Sequence, residues 1–398
     1  MGSVVLNGAT SGATTITPTD GVTATLTLPS TTGTLGLASG SATQSINAQN
    51  TFGFKNRIIN GGMVIDQRNA GASVTNTVGY TFSVDRFSIY GRTSSIFTAQ
   101  QNAGAVTPPA GFINYLGITS SAATAVGASD LYAVLTTIEG LNIADLGWGT
   151  ANAKTITLSF WARSSLTGTF GGALNNSTYA RSYPFSYSIP VANTWTQISI
   201  TIAGDTSGTW LTTNGLGIRL WFGLGVGSTY SGTAGAWASV EYESATGATS
   251  VVGTNGATFY ITGVQLEVGT QATSFDFRDY GRELILCQRY CYKISTSGGY
   301  SSFATTGQFV STTRVDFPIL LPTYMRASPT ATYTAANTYL PSSAGTDFTP
   351  SAVATAGGSA SPQAITVSFT VSGATAGRAA TLTDLNTTSS NMIFSAEL

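Results

Sequence analysis

The sequence predicts an all-β protein: a jelly-roll-like β-sandwich with an extended N-terminal segment, one short helix and a smaller C-terminal β-domain. Three observations predict it. Of the 398 residues only 8% are charged, whereas 42% are hydrophobic and 11% aromatic. The surface positions that Lys and Glu hold in an ordinary domain, where about 25% of residues are charged, pass to Gly, Ser, Thr, Ala and Asn. Such a composition can bury a sizeable core, and its Thr, Val, Tyr and Phe favour pleated surfaces. Many short candidate strands separated by Gly, Asn and Ser clusters describe a sandwich rather than βαβ units. The helix-period segments that an α/β sheet needs are missing.

Residues 1–50 contain one charge, Asp20, and no aromatic residue. Within them 22–28 alternates, with Val22, Ala24, Leu26 and Leu28 on one face and threonines on the other, until Pro29 ends the run. One strand cannot bury its apolar face alone, so 1–50 is expected to be an attachment segment completed by other copies or by a docking partner. From Phe52 the chain becomes aromatic-rich, with strands expected over 82–90, 154–163, 194–202, 216–222 and 258–268. These make 51–280 the sandwich. The one helix is expected over 279–293, where Leu284, Cys287 and Cys291 form a single apolar stripe; it makes 281–296 a connector. Residues 297–398 read as a second β-domain, with 365–371 as the clearest strand.

Charge and composition exclude several functions. Sixteen basic and seventeen acidic residues give a net charge of −1, and no basic run offers the face that nucleic acid or an anionic membrane requires. No stretch approaches the ~20 apolar residues of a membrane span. The first residues lack a secretory signal and two cysteines suit a reducing compartment, so synthesis in a cytoplasm is expected. Histidine is absent, which removes Ser-His-Asp and Cys-His catalysis. Cys287 and Cys291 lack the further ligands that a zinc site needs, so no metal and no cofactor are expected. Paired carboxylates remain as a route to glycan cleavage. Glu241 and Glu243 share a face if their segment is extended. Asp66 and Asp85 each have an Arg nearby, which makes structural ion pairs the simpler reading.

Asn56-Arg-Ile-Ile-Asn-Gly-Gly-Met-Val-Ile-Asp-Gln-Arg68 resembles the opening of a family of phage tail-fibre and receptor-binding proteins. Gly263-Val-Gln-Leu-Glu-Val-Gly269, Phe275-Asp-Phe-Arg-Asp-Tyr-Gly281 and Glu283-Leu-Ile-Leu-Cys-Gln-Arg-Tyr290 resemble the end of the same module. Pro322-Thr-Tyr-Met-Arg-Ala-Ser-Pro329 and Ser395-Ala-Glu-Leu398 are similar to its later motifs. The resemblance implies a carbohydrate-binding-module-like sandwich, location in the virion and trimeric fibres. It transfers no receptor identity and no binding residues. The expected function is therefore a non-enzymatic tail-fibre subunit, a homotrimer held to a baseplate or tail protein through its N-terminal segment and binding a host-surface polysaccharide. The alternatives are a tail-associated glycan depolymerase and a purely structural fibre or capsid-decoration protein.

Aromatic rings stack on sugar faces while Arg, Asn, Ser and Thr bond hydroxyls. In 155–163 alternation puts Ile156, Leu158, Phe160 and Ala162 in the core and leaves Trp161 and Arg163 opposite. In 216–222 it likewise leaves Arg219 and Trp221. The two Trp-Arg pairs are candidates for one binding platform, or for filling an interchain or interdomain contact. Trp210 and Trp237 sit in Gly/Thr-rich stretches read as exposed loops. Tyr300 and Tyr324, with Tyr333 and Tyr339, are the candidates if 297–398 is the receptor-facing tip.

Overall fold

The computed structural model describes residues 55–388 and 390–398 and, ahead of them, two strands, Val4–Asn7 and Ala13–Ile16. These two form an antiparallel hairpin with Val4 opposite Ile16. The alternating segment 22–28 lies outside the described residues.

The body is mostly β, with a jelly-roll-like sandwich of two six-stranded antiparallel sheets. One sheet runs in the order Ser182–Ile189, Gly168–Asn175, Leu216–Val226, Leu131–Glu139, Phe87–Gly91, Gly79–Phe82. The other runs Thr196–Ile202, Ile156–Ser164, Thr258–Val268, Leu116–Ser120, Phe97–Gln101, Val74–Thr75. Alternation fills the space between them: Ile156, Leu158, Phe160 and Ala162 from one sheet meet Ile218, Leu220, Phe222 and Leu224 from the other. The strand expected over 82–90 is a hairpin instead. Gly79–Phe82 and Phe87–Gly91 pair with Phe82 opposite Ser88, and the turn between them places Arg86 at φ 68.

The helix spans Tyr280–Gln288, shorter than the apolar spacing predicts. Asp279 caps it by accepting from the Arg282 backbone N–H at 2.9 Å. Cys291 is not on its stripe: the chain turns at Arg289 and Tyr290, and Cys291–Ser295 becomes a strand paired with Asn391–Ser395. Cys291 pairs there with Ser395, a partner that apolar spacing along the chain does not reveal. Leu284 and Cys287 pack on Ile59, Ile65 and Tyr290 of the same chain. The stripe is thus covered by residues of the same chain.

The C-terminal β-region begins with Cys291–Ser295, which joins Asn391–Ser395 and Thr330–Tyr333 in a three-stranded sheet. A seven-stranded sheet built around Ser302–Ser311 and Arg314–Leu320 accompanies it, with Phe309, Phe317, Phe369 and Phe394 in the shared core.

The quoted motifs meet at the joint between sandwich and C-terminal region. Arg289 makes a two-pronged bond to the buried Glu139 carboxylate at 2.9 and 2.6 Å, and the Tyr290 hydroxyl donates to it at 2.5 Å. Arg86 and Arg68 both grip Glu397, the latter at 3.1 Å, and the Arg86 guanidinium lies 3.6 Å above the Tyr290 ring. Arg57 pairs with Asp145 through two 2.8 Å bonds. Asp85 is buried and accepts from Gln67; desolvation pushes its carboxyl up to about 6. Arg86 therefore pairs with Glu397 rather than with Asp85. Asp66 closes a turn, accepting from the backbone N–H groups of Asn69 and Gly71 at 3.0 and 2.7 Å. These motifs are architecture.

Candidate ligand-binding face

An antiparallel sandwich sheet ordinarily leaves its outer face to water. Strand Leu131–Glu139 breaks that expectation. Tyr132, Val134 and Ile138 point into the core, yet Leu131, Ala133 and Leu135 on the opposite side are also buried, in a second cluster with Trp221, against Tyr90, Tyr179 and Tyr230. The register explains the grouping: Tyr80 pairs with Tyr90, Tyr90 with Ala133, and Leu135 with Trp221. Ring centroids lie 5.0 Å apart for Tyr80 and Tyr90 and 5.9 Å for Tyr90 and Trp221, edge to face in both cases. Edge-on packing of this kind contributes about 0.5–1.5 kcal/mol per pair.

Charged groups border the rings. The Arg219 guanidinium stacks 4.1 Å from the Tyr179 ring and donates to the carbonyls of Asn176 and Ser177. The Tyr179 hydroxyl is 3.2 Å from that of Tyr80. Arg92 donates to the Tyr230 hydroxyl at 2.7 Å. A wall is made by residues 227–248, which fold back so that Ser231–Gly232 pairs with Ser244–Ala245 and the Glu243 N–H meets the Tyr230 carbonyl at 2.8 Å. The sheet accommodates this wall because two outward positions beneath it are glycine: a Cβ at Gly223 would lie 2.8 Å from Ser244 Oγ, and one at Gly171 would collide with it.

The face holds buried polar atoms without partners. Trp221 Nε1, Glu243 Oε2, Asn175 Oδ1 and Ser244 Oγ are all in this state. An unsatisfied buried group costs about 1–3 kcal/mol, and four of them gather beneath this face. Glu243 is 1% exposed. Desolvation, then the charge and hydrogen bond of Glu241, push its carboxyl up to about 9, with Arg92 and Arg219 opposing only in part. It is a neutral hydrogen-bond donor at physiological pH.

The sequence candidates are distributed differently from the platform expected of them. Arg219 and Trp221 belong to this face. Trp161 and Arg163 lie on the outer face of the other sheet, because their strand pairs with Thr196–Ile202 and Thr258–Val268. Alternation within a strand gives the side of a sheet but not which sheet, so the two Trp-Arg pairs stand back to back across the sandwich. Arg163 donates to the Asn193 carbonyl at 2.9 Å, 5.3 Å from the Tyr260 ring. Trp221 is 1% exposed, so it forms the base of the cluster rather than an open stacking surface. Trp210 and Trp237 are not free loop residues either. With Trp148 they make an edge-to-face triad, centroids 4.7–5.5 Å apart, packed on the core.

In the C-terminal region Tyr339 is buried and Tyr333 is half-buried with its hydroxyl 2.8 Å from Thr355. Tyr300 and Tyr324 are exposed, and no ring contact joins them among the described residues. Tyr324 borders the joint, its carbonyl accepting from Arg289, whereas Tyr300 sits on a turn against Asp384.

Cys287 and Cys291 are buried free thiols, both pushed upward by burial. An aromatic disulfide reagent is expected to leave both unmodified in the native protein at pH 8 and to titrate them at the rate of unfolding. Modification within minutes without loss of structure would contradict this.

Sequence reasoning missed Tyr80, Tyr90, Arg92, Tyr179 and Tyr230. One signal was available: Leu131-Tyr-Ala-Val-Leu135 is an unbroken apolar run, the pattern of a strand covered on both faces. Tyr179 and Tyr230 had none, because they arrive on connections remote from the strands they meet.

Fold and face together give a β-sandwich with an aromatic, carboxyl-bearing surface on one sheet. No protein-family model and no curated protein matches the chain. Among solved structures, the enzymatically active domain of tailspike protein 4 of bacteriophage CBA120 is similar at 13% identity and a TM-score of 0.29. The likeness covers 54% of this chain and 21% of that one, about a fifth of that domain's chain. A family 11 carbohydrate-binding module from Clostridium thermocellum, in complex with a β-1,3-1,4-mixed-linked tetrasaccharide, is similar at 9% identity and a TM-score of 0.26, covering 50% of this chain and 100% of that one. At such scores the sandwich assignment rests on the strand pairings of this protein itself.

Proposed function

We propose that the protein binds a glycan on the outer face that carries Trp221, without cleaving it, as a subunit of a phage tail fibre. The observation that carries the binding site is the ring cluster of Tyr80, Tyr90, Tyr179 and Tyr230 bordered by Arg92 and Arg219, on a sheet face that would otherwise be wetted. A sugar supplies what such a surface lacks: apolar ring faces for Tyr80 and Tyr90, and hydroxyls for the guanidiniums of Arg92 and Arg219. The absence of cleavage is supported by the Glu241–Glu243 pair. Glu243 is 1% exposed, so its carboxyl is out of reach of a substrate and the pair has only Glu241 to offer. The tail-fibre role is supported by the order of the motifs between Asn56 and Leu398. A homotrimer, and attachment to the tail through residues 1–50, belong to the same reading, and a stable monomer in light scattering at micromolar concentration would remove the first.

A glycan array followed by titration of its hits tests the site. Tyr80 is 48% exposed, so Tyr80→Ala should fold normally and weaken binding about tenfold, the 1.4 kcal/mol scale of one aromatic contact. Binding that is unchanged in both Tyr80→Ala and Arg219→Ala overturns the site. Release of reducing ends from any bound glycan overturns the non-cleaving assignment. The competing site, the C-terminal tip, is tested by replacing Tyr300 and Tyr324 together with Ala. Truncation before 297 would not test it, since it removes Glu397 and the partner strand of Cys291–Ser295.

A further inference from the structure

We propose that copies of this chain associate through an apolar hollow between residues 111–113 and the segment 275–280 that leads into the helix. The inference rests on the homotrimer of the proposed function and names the surface that forms it. Three of the five most exposed large apolar side chains among the described residues line this one hollow: Ile113 at 75%, Phe277 at 61% and Tyr280 at 62% exposure. Phe112, Phe275 and Phe277 form a ring triad there, with centroids 4.8–5.2 Å apart, and Val64 helps to close a hollow of about 280 Å³. Large apolar side chains gathered at one exposed place mark a contact surface, whereas single ones need no explanation.

The polar groups of the floor have partners within the chain, so the hollow suits an apolar guest. Arg278 donates to the carbonyls of Asn56 and Ile58 and pairs with Glu283 at 3.3 Å. Glu283 accepts from the Asn60 N–H, and the Asn60 amide donates to the carbonyls of Ile65 and Asp85. Two observations identify the guest as a second copy. The rim carries both signs of charge, Asp276 and Asp279 on the lead-in and Arg282 in the first turn of the helix, so each copy presents the complement of its own charges. The chain also enters the body here. The Lys55 ammonium bonds the Ser274 carbonyl and the Asn56 N–H reaches Asp276 at 3.5 Å, on either side of Phe275. Residues 1–54 therefore join the body at the rim of the hollow. In a fibre whose copies carry these segments to one attachment point, this end of each body faces the axis. A surface on a threefold axis meets copies of itself.

Sedimentation velocity of the full chain at micromolar concentration tests the surface, with wild type beside the double variant Ile113→Lys, Phe277→Lys. Both side chains are largely exposed, so the double variant should melt as wild type does. It places like charges on one another across the contact and should weaken association by about a hundredfold or more, leaving monomer. Tyr280→Lys, at the first residue of the helix and 62% exposed, keeps the test valid if the double variant misfolds. Leu320→Lys, 80% exposed in the C-terminal region, should change nothing. A wild type that sediments as a monomer overturns this surface together with the homotrimer. A trimer that neither the double variant nor Tyr280→Lys loosens overturns the surface and leaves the homotrimer standing. Equal dissociation by Leu320→Lys likewise overturns the surface alone.

Discussion

Replacing Glu397 with Ala is expected to destabilise the protein by about 3–5 kcal/mol, the scale of a broken buried ion pair. Its carboxylate is the shared partner of two guanidiniums whose side chains are almost wholly buried, Arg86 at 1% and Arg68 at 9% exposure. Removing the carboxylate leaves two charges with no route to water. Arg86 also lies against the Tyr290 ring, and Tyr290 is bonded to Glu139, so the damage extends to the second half of the joint. Glu397→Gln should cost less, because the amide oxygen still accepts one of the two bonds. Urea unfolding at pH 7 measures both, through the midpoint at constant slope. A loss under about 1 kcal/mol for Glu397→Ala would show that the joint opens to water in the native state.

The second large effect is a dependence of stability on pH that belongs to Glu243. Its carboxyl is raised from 4.5 to about 9 by burial first and by Glu241 second. The sign follows from proton binding. Between these values the unfolded chain has released the proton that the native chain still holds, so rising pH favours unfolding. The contribution is fully present below about 4.5, is lost progressively up to about 9, and levels beyond. At about 1.4 kcal/mol per pKa unit the total reaches several kcal/mol. The groups facing this carboxyl are Glu241 on its own segment, Arg92 after Phe87–Gly91, Arg219 on Leu216–Val226, and the tyrosines Tyr90, Tyr179 and Tyr230. Asp85, raised from 3.8 to about 6, adds a loss over the lower window in any variant. The difference between wild type and Glu243→Gln isolates Glu243: wild type should lose ground to the variant steadily from pH 5 to pH 9. Parallel curves would mean that Glu243 ionises freely in the native protein.

Much of the fold was legible because strand alternation is a local property. The inward sets Ile156, Leu158, Phe160, Ala162 and Ile218, Leu220, Phe222 could be read directly, since side-chain direction depends only on the pleat. The turn of the 79–91 hairpin and the end of the helix were not. The helix end meets a partner about a hundred residues away, Asn391–Ser395 for Cys291, and the turn is closed by Ser83 and Val84 bonding Phe87, a local pattern that apolar alternation does not show. Asp66 and Asp85 show the same limit: adjacent arginines suggested ion pairs, but one carboxylate closes a turn and the other lies buried against Gln67.

By itself the sequence determined the β class, the lack of histidine and the alternation of side-chain direction within the strands it located. Those follow from composition and from a period of two residues, which no distant contact can change. Only the tertiary structure decided which outward residues share a surface. Trp161 and Trp221 look equivalent along the chain, yet their strands hydrogen-bond into different sheets and face opposite ways. Tyr80, Tyr179 and Tyr230 look unrelated, yet strand register and a folded-back loop bring them to one face. Burial there also set the chemistry, because Glu243 carries its proton only once the loop and sheet have taken it out of water.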